Sequence, residues 1–388
     1  MMLLDQLELT VGAVAHGGHC VARFGEPPGR VVFVRHALPG ERVVAEITEV
    51  HPGYLRADAV AVLEPSPDRV EPPCPYARPD ACGGCDLQHV APAAQREWKA
   101  AVVREQLARL AGLPDFPVRV DALPGDVLGW RTRVRYAVDA AGRPGLLKHR
   151  SHEVVPIDRC RIAHPAIQAL PVTDRRWPSV DAVETVAPSA SPAVVMAPGL
   201  EVRERAVGRE WTLPAGAFWQ VHPAAADTFA GAVLELLQPQ PGESAWDLYG
   251  GAGLFAAALA SRLGPDGRVT LVEADPRGVA AARGNLADLA QVRVVPGKVE
   301  AALRRRLRGP VDLVVLDPPR SGAGAAVVRA MAASGARAVA YVACDPAALA
   351  RDVRTFRDLG WRLAELRAYD AFPMTHHVEC VALLTPSP

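Results

Sequence analysis

A chain of 388 residues, 49% of them hydrophobic, is too long for one ordinary core and carries enough apolar content to bury two or three. Its formal charge is zero, 43 Lys and Arg against 43 Asp and Glu, which excludes the strongly basic signature of a general nucleic-acid binder and confines any polyanion site to a local patch. It has no apolar run of about eighteen residues, no basic-then-apolar leader and no even cysteine framework, its seven cysteines being unevenly spaced. A soluble, cytoplasmic, monomeric protein is expected, with no membrane partner and with its cysteines engaged in metal binding or catalysis.

In chain order, residues 7–14, 30–34, 42–50 and 56–63 read as short strands separated by Gly17-Gly18, Pro27-Pro28-Gly29, Pro39-Gly40 and Pro52-Gly53. That spacing predicts a small antiparallel barrel, of the OB type or a generic β-module. Residues 70–90, dominated by cysteine, proline and glycine, should be irregular. Alanine, leucine and valine at helical spacing then predict an amphipathic helix over 92–113.

Residues 128–158 read as extended, with Arg131, Arg133 and Arg135 alternating so that their guanidinium groups share one face. With Arg143, Lys148, Arg150, Arg159 and Arg161 this is either a phosphate-backbone patch or a solvated strand face. Residues 171–210, rich in proline, alanine and valine, show no period. From residue 242 strands at 244–248, 268–272, 311–316 and 336–342 alternate with alanine-rich helices, the signature of a doubly wound parallel sheet. Residues 361–369 and 378–384 add two final strands, the last antiparallel where Glu379 lies.

Chemistry concentrates at the predicted carboxyl ends of these strands. Asp247-Leu248-Tyr249-Gly250-Gly251-Ala252-Gly253 is a strand running into a glycine turn, and Glu273 ends the next strand where a carboxylate can bind both ribose hydroxyls. This pairing predicts a ribose-bearing cofactor without separating NAD from S-adenosylmethionine. Asp317-Pro318-Pro319-Arg320 is a rigid loop that turns Asp317 toward the cofactor crevice. Cys344 ends an apolar strand just before Asp345-Pro346 and a helix over 347–356, whose N-terminus is expected to lower the thiol's pKa. Cys74, Cys82, Cys85 and Cys160 could bind tetrahedral zinc or a 4Fe–4S cluster, and spacing alone does not decide between them.

The runs at 250–255 and 317–320, Cys344-Asp345-Pro346-Ala347-Ala348-Leu349-Ala350-Arg351-Asp352 and His377-Val378-Glu379 resemble, in order and spacing, the motifs of the S-adenosylmethionine-dependent RNA 5-methyluridine (uracil-C5) methyltransferases. The resemblance extends to the N-terminal β-module, which looks like a TRAM domain. It implies an α/β fold in three parts: an OB-like TRAM barrel over 1–64, a small β-rich iron–sulfur central domain over 65–212, and a Rossmann-like class I methyltransferase domain over 213–388, on which the helix at 92–113 would pack.

It further implies that Cys344 adds to carbon 6 of uracil, that Glu379 removes the carbon 5 proton, and that the substrate is ribosomal or transfer RNA whose target base is flipped out. Gln220, in Phe218-Trp219-Gln220-Val221-His222, would contact S-adenosylmethionine with Tyr249, Gly251, Gly253, Glu273 and Asp317. The four cysteines would hold a 4Fe–4S cluster, with zinc as the alternative, although seven residues part Cys74 from Cys82 where the family often has five. His222, Leu254 and Asp345 stand where asparagine is frequent, and Cys20 and Cys380 match no ligand position. Two competing classes remain: an NAD-dependent oxidoreductase with a structural metal, which leaves Cys344 and Glu379 idle, and a non-catalytic RNA-binding or assembly factor.

Overall fold

The computed structural model describes residues 5–307 and 309–388, which fall into two compact units. One comprises Met1–Val102, Asp126–Thr185 and Phe372–His377; the other comprises Val103–Gly125, Val186–Ala371 and Val378–Pro388. Among the described residues no helix is long and apolar enough to cross a membrane.

The first unit opens with a closed barrel of β1 (Gln6–Ala15), β2 (His19–Phe24), β3 (Arg30–Arg35), β4 (Arg42–Val50) and β5 (Tyr54–Glu64), in the order β1-β2-β3-β5-β4. Leu7, Leu9 and Val11 face inward and alternate with exposed Glu8 and Thr10, so the period of two in the sequence is a buried face. Two expectations are corrected. The barrel is not wholly antiparallel, since β3 runs parallel to β5 with Val31 opposite Tyr54. It also contains β2, which mixed residues such as His19 and Arg23 concealed, and which Gly17 and Gly18, both at positive φ, fold back onto β1.

Helix α1 (Pro92–Gln106) adds Trp98 and Val102 to the barrel core. A π-helical turn, Leu107–Ala111, and left-handed Gly112 then end it close to the predicted limit, in the segment that belongs to the second unit. There the carbonyls of Ala111 and Gly112 accept hydrogen bonds from Arg357, and β6 (Val120–Ala122) follows.

The extended run expected over 128–158 is instead β7 (Arg133–Val138), β8 (Pro144–Leu147) and β9 (Val154–Pro156). It breaks because Asp139 Oδ1 accepts from the backbone N–H groups of Ala141 and Arg143, building a turn with Gly142 at φ 76°. Arg131 lies outside β7, in an isolated bridge to Ala163, so the three guanidinium groups do not share one strand. A short helix, α2 (Pro165–Gln168), and β10 (Ala182–Val186) complete this region, β10 lying beside β7.

In the second unit β11 (Val194–Val195) and a hairpin of β12 (Glu201–Ala206) and β13 (Arg209–Pro214) occupy the stretch without a period. Buried Glu204, on the inward face between Val202 and Ala206, interrupts the apolar alternation there. Next come α3 (Ala225–Leu237), β14 (Ser244–Leu248), α4 (Leu254–Leu263), β15 (Arg268–Glu273), α5 (Pro276–Asn285), β16 (Val292–Pro296), α6 (Val299–Arg305), β17 (Leu313–Leu316), α7 (Ala325–Ala332), β18 (Ala338–Ala343), α8 (Pro346–Asp358), β19 (Trp361–Asp370) and β20 (Glu379–Pro386).

These strands form one eight-stranded sheet, β16-β15-β14-β17-β18-β20-β19-β6. The β16 strand, absent from the sequence reading, is an edge strand with one fully buried residue, Val295, and so lacks an apolar run. The strands from β16 to β18 are parallel, while β20 is antiparallel to both its neighbours, as expected. Every residue of β17 and β18 is buried, because helices cover both faces: α3 packs on α4, and α7 bridges α6 and α8.

Glu41 shows how the barrel is secured. Fully buried, it accepts from Arg69 at 2.6 and 2.7 Å, Ser66 N at 3.0 Å and Leu38 N at 2.8 Å, tying the chain beyond β5 to the turn before β4. Burial alone would raise its pKa, but these donors hold it below the usual glutamate range. Its stabilisation is therefore present above the ordinary glutamate pKa and disappears as pH falls through the lowered value. Glu41→Gln should cost about 1.5–3 kcal/mol at neutral pH, read as a lower urea midpoint, and the difference from the parent should shrink in acid.

Candidate functional site

Parallel strands end together, so the carboxyl edge of the sheet gathers the turns that follow β14, β15, β17 and β18. Tyr249, Glu273, Asp317 and Cys344 lie on that edge. Tyr249 adopts φ 61°, an uncommon conformation for a residue other than glycine, at the sharp exit from β14. A side chain at Gly250 would strike Leu271 at 2.5 Å, and one at Gly253 would strike Leu286 at 2.6 Å, so the glycine turn is set by close packing on the neighbouring strand and helix. Glu273 spans the turn, accepting from Gly251 N at 2.8 Å with one oxygen and from Asp275 N at 2.6 Å with the other.

A small cavity of about 40 Å³ opens against this turn, lined by Gln220, Tyr249, Gly251 and Asp317 from the expected set, and by Trp219 and Phe255. Gly253 and Glu273 stand behind its wall rather than in it. Beneath it Asp247, fully buried, accepts from Ala256 N at 2.8 Å while its other oxygen has no partner. Burial pushes its carboxyl up to about 8, opposed by that hydrogen bond and reinforced by Asp317 and Glu273. Asp247 was not singled out from the sequence, although a carboxylate inside an apolar strand was the available signal.

Reversal of β20 brings its first residue to the same edge. Val342 faces Val381 and Ala343 faces Cys380, so one further step in the register sets Cys344 across from Glu379. Residues directly opposed on antiparallel strands have Cβ atoms about 4.5–5.5 Å apart. Glu379 is 4% exposed, whereas Cys344 remains partly open.

The expectation of a lowered thiol pKa is overturned. Burial, then the charges of Glu379 and Asp317, push Cys344 up to about 12 against the opposing pull of Arg320. The α8 N-terminus does not offset this, its Ala348 N–H being occupied by the Asp345 carboxylate at 2.7 Å. Burial also raises the Glu379 carboxyl well above its ordinary range, Asp317 adding to the rise and Arg320 opposing it. Of the other departures from the family pattern, His222 is buried and accepts from Ala224 N at 3.2 Å, and Leu254 lines the cavity.

A second site lies within the first unit. Cys74, Cys82, Cys85 and Cys160 line one cavity of about 100 Å³, and all four are free thiols. Gly84 N–H points at Cys82 Sγ at 3.4 Å, and the backbone N–H groups of Ala163 and Ile162 are directed at Cys160. A side chain at Gly83 would come within 2.4 Å of His149 N, which fixes the Cys82 to Cys85 loop against β8. Among the described residues no three His, Cys, Asp or Glu side chains converge on one point as a single metal ion requires.

Arg131, Arg135, Arg159 and Arg161 line the same cavity, so half of the expected basic patch surrounds the cysteines. The rest is largely paired: Arg143 with Asp139, Lys148 with Asp80 and Glu153, and Arg150 with Glu49. Cys20 and Cys380 are fully buried packing residues, as expected.

Comparison with known proteins agrees with this architecture. Residues 5–60 match the TRAM domain, residues 223–344 the methyltransferase small domain, and residues 305–387 the tRNA (uracil-5-)-methyltransferase family. The fold is similar to that of the Pyrococcus abyssi tRNA (uracil-54, C5)-methyltransferase in complex with S-adenosyl-L-homocysteine, with a TM-score of 0.70 at 21% identity over 97% of this chain and 99% of that one. A protein of Streptomyces coelicolor described as an uncharacterized RNA methyltransferase is 50% identical over 99% of this chain and 93% of its own length. One of the same description from Streptomyces avermitilis is 51% identical over 99% of both chains, and at that similarity this chain belongs to the RNA methyltransferase family.

Proposed function

We propose that this RNA methyltransferase transfers a methyl group from S-adenosylmethionine to carbon 5 of a uridine in ribosomal or transfer RNA, with Cys344 as nucleophile and Glu379 as base. The observation that carries the reading is the register of β20 on β18, which opposes a thiol and a buried carboxyl at the edge where α/β sheets bind their ligands. The tRNA (uracil-5-)-methyltransferase match over 305–387, which spans both residues, supports the choice of base and of carbon 5.

S-adenosylmethionine, when bound, supplies a methyl group on a cationic sulfonium. Gln220, Tyr249, Gly251 and Asp317 would line its site, with Gly253 and Glu273 shaping the turn. Electrostatics favour it over a dinucleotide: Asp247, Glu273, Asp317 and Glu379 form a chain of neighbouring carboxyls whose charged forms an entering cation would stabilise and a pyrophosphate would not.

In the proposed reaction the Cys344 thiolate adds to carbon 6 of a flipped uracil, and the electron pair of the 5,6 double bond moves toward carbon 5 and the carbonyl oxygen. Carbon 5 then bonds the methyl group, and its leaving partner departs as a neutral thioether. Glu379 takes the carbon 5 proton, the double bond re-forms, and the sulfur leaves carbon 6 as thiolate. A carboxyl raised by burial is the stronger base for that step. The three-part division into barrel, cysteine-rich centre and catalytic domain is part of the proposal, with monomeric protein acting in the cytoplasm.

The four cysteines would hold a 4Fe–4S cluster whose net negative charge the surrounding arginines offset. Nothing in the methyl transfer needs an electron, so we assign it a structural role.

Three outcomes are expected. Glu379→Gln should accumulate a covalent protein–RNA adduct carrying the methyl group, visible on denaturing gels, with turnover down about 10²–10⁴-fold; Cys344→Ala should give neither adduct nor 5-methyluridine. An adduct surviving in Cys344→Ala would overturn the assignment. In single turnover, adduct formation by the parent should accelerate from pH 7 to 9 as the raised thiol ionises, and a flat profile would count against Cys344. Protein purified without oxygen should contain iron and acid-labile sulfide in equal amounts, and Cys85→Ala should lose both.

A further inference from the structure

Two side chains the reaction does not touch grip the loop that carries Asp317 and Arg320. Asp352 on α8, 5% exposed, accepts through a single oxygen from Tyr341 Oη at 2.7 Å, Ala323 N at 2.8 Å and Gly324 N at 3.2 Å. Tyr341 on β18, fully buried, itself accepts from Ala323 N at 3.0 Å. Helix α7 has no side-chain cap of its own, and the carboxylate of α8 holds the N–H groups of its N-cap Gly324 and of Ala323 just before it. A side chain at Gly322 would lie 2.8 Å from that carboxylate, which leaves glycine, at φ 84°, as the residue that allows the loop to close down.

Tyr341 and Asp352 bracket Cys344 in sequence, three residues before it and eight after. The strand, turn and helix that present the thiol therefore also hold the loop that presents the facing charges. The groups around Cys344 come from both sides: Glu379 and Cys380 on β20, Asp317 and Arg320 on the loop.

We propose that Asp352, braced by Tyr341, is a positioning residue that locks the β17 to α7 loop so that Asp317 and Arg320 face Cys344 and Glu379. The proposal rests on the reading of Cys344 and Glu379 as the reacting pair. Released from this clamp, the loop would let water reach the thiol and take Asp317 away from it. The loop's carboxylate acts on the thiol more strongly than its guanidinium does, so loosening the loop should make Cys344 more acidic.

The test uses the full chain. Asp352→Asn keeps the shape and removes the charge; it should lower kcat about 10–100-fold with KM for RNA little changed and KM for S-adenosylmethionine raised, since Asp317 also lines that site. Iodoacetamide alkylation of the Cys344 peptide, followed by mass spectrometry without RNA or cofactor, should have its pH midpoint moved to lower pH. Tyr341→Phe, a milder change that retains the ring, should move both readouts the same way by less, and serves should Asp352→Asn fail to fold. A variant with a lower Tm but the parent's kcat and alkylation profile would make Asp352 a helix cap only and overturn the proposal. A fall in kcat with an unmoved alkylation profile would overturn it too. Methylation by Cys344→Ala would instead defeat the nucleophile assignment, which the alkylation profile does not depend on.

Discussion

The site depends above all on the antiparallel pairing of β20 with β18. In a run of parallel strands every strand begins at the edge opposite the ligand crevice, so the first residue of a strand cannot reach it. Reversing one strand brings its beginning to the crevice, and Glu379 is that first residue. The register is pinned by burial: Val381, Ala382 and Leu384 are fully enclosed in a sheet covered on both faces. A slip of one residue would offer Val378 or Cys380 to Cys344 in place of the carboxyl.

Burial also sets the chemistry of the edge. Asp247, Asp317, Glu379 and Cys344 all have their neutral forms favoured, because each loses hydration at the sheet edge, Asp247 and Glu379 most completely, and the neighbouring carboxyls repel one another. Such a site is poised rather than preionised: a positive charge entering it stabilises every deprotonated group at once. Arg320 acts on both Cys344 and Glu379, which gives the loop that carries it more influence than its exposed position suggests.

The cysteine cavity follows a different logic. Its thiols come from an irregular loop and from Cys160, far along the chain, and glycine packing with backbone N–H groups aimed at sulfur holds them in place. Four guanidinium groups, of Arg131, Arg135, Arg159 and Arg161, line the cavity beside the thiols.

Much of this was legible in the sequence. The alternation of Leu7, Leu9 and Val11, the apolar runs of β14, β17 and β18, and the Asp345-Pro346 helix start are local patterns, and local patterns survive folding. The motifs around Cys344 and Glu379 singled out the two residues that the proposed reaction uses. Strands β2 and β16 were missed because mixed or edge positions carry no apolar period, and the run through Arg131, Arg133 and Arg135 was misread because the backbone at Arg131 pairs with the distant Ala163 before β7 begins. Asp352 was legible in retrospect: it falls on the buried face with Leu349, Val353 and Phe356, where a carboxylate demands partners. The sequence by itself determined which groups are present and in what order along each element. Only the tertiary structure decided that burial and nearby carboxyls raise the Cys344 thiol, that β20 brings Glu379 to the same edge, and that Asp352 grips a loop almost thirty residues earlier, since ionisation and contact depend on burial and strand direction, which no single segment encodes.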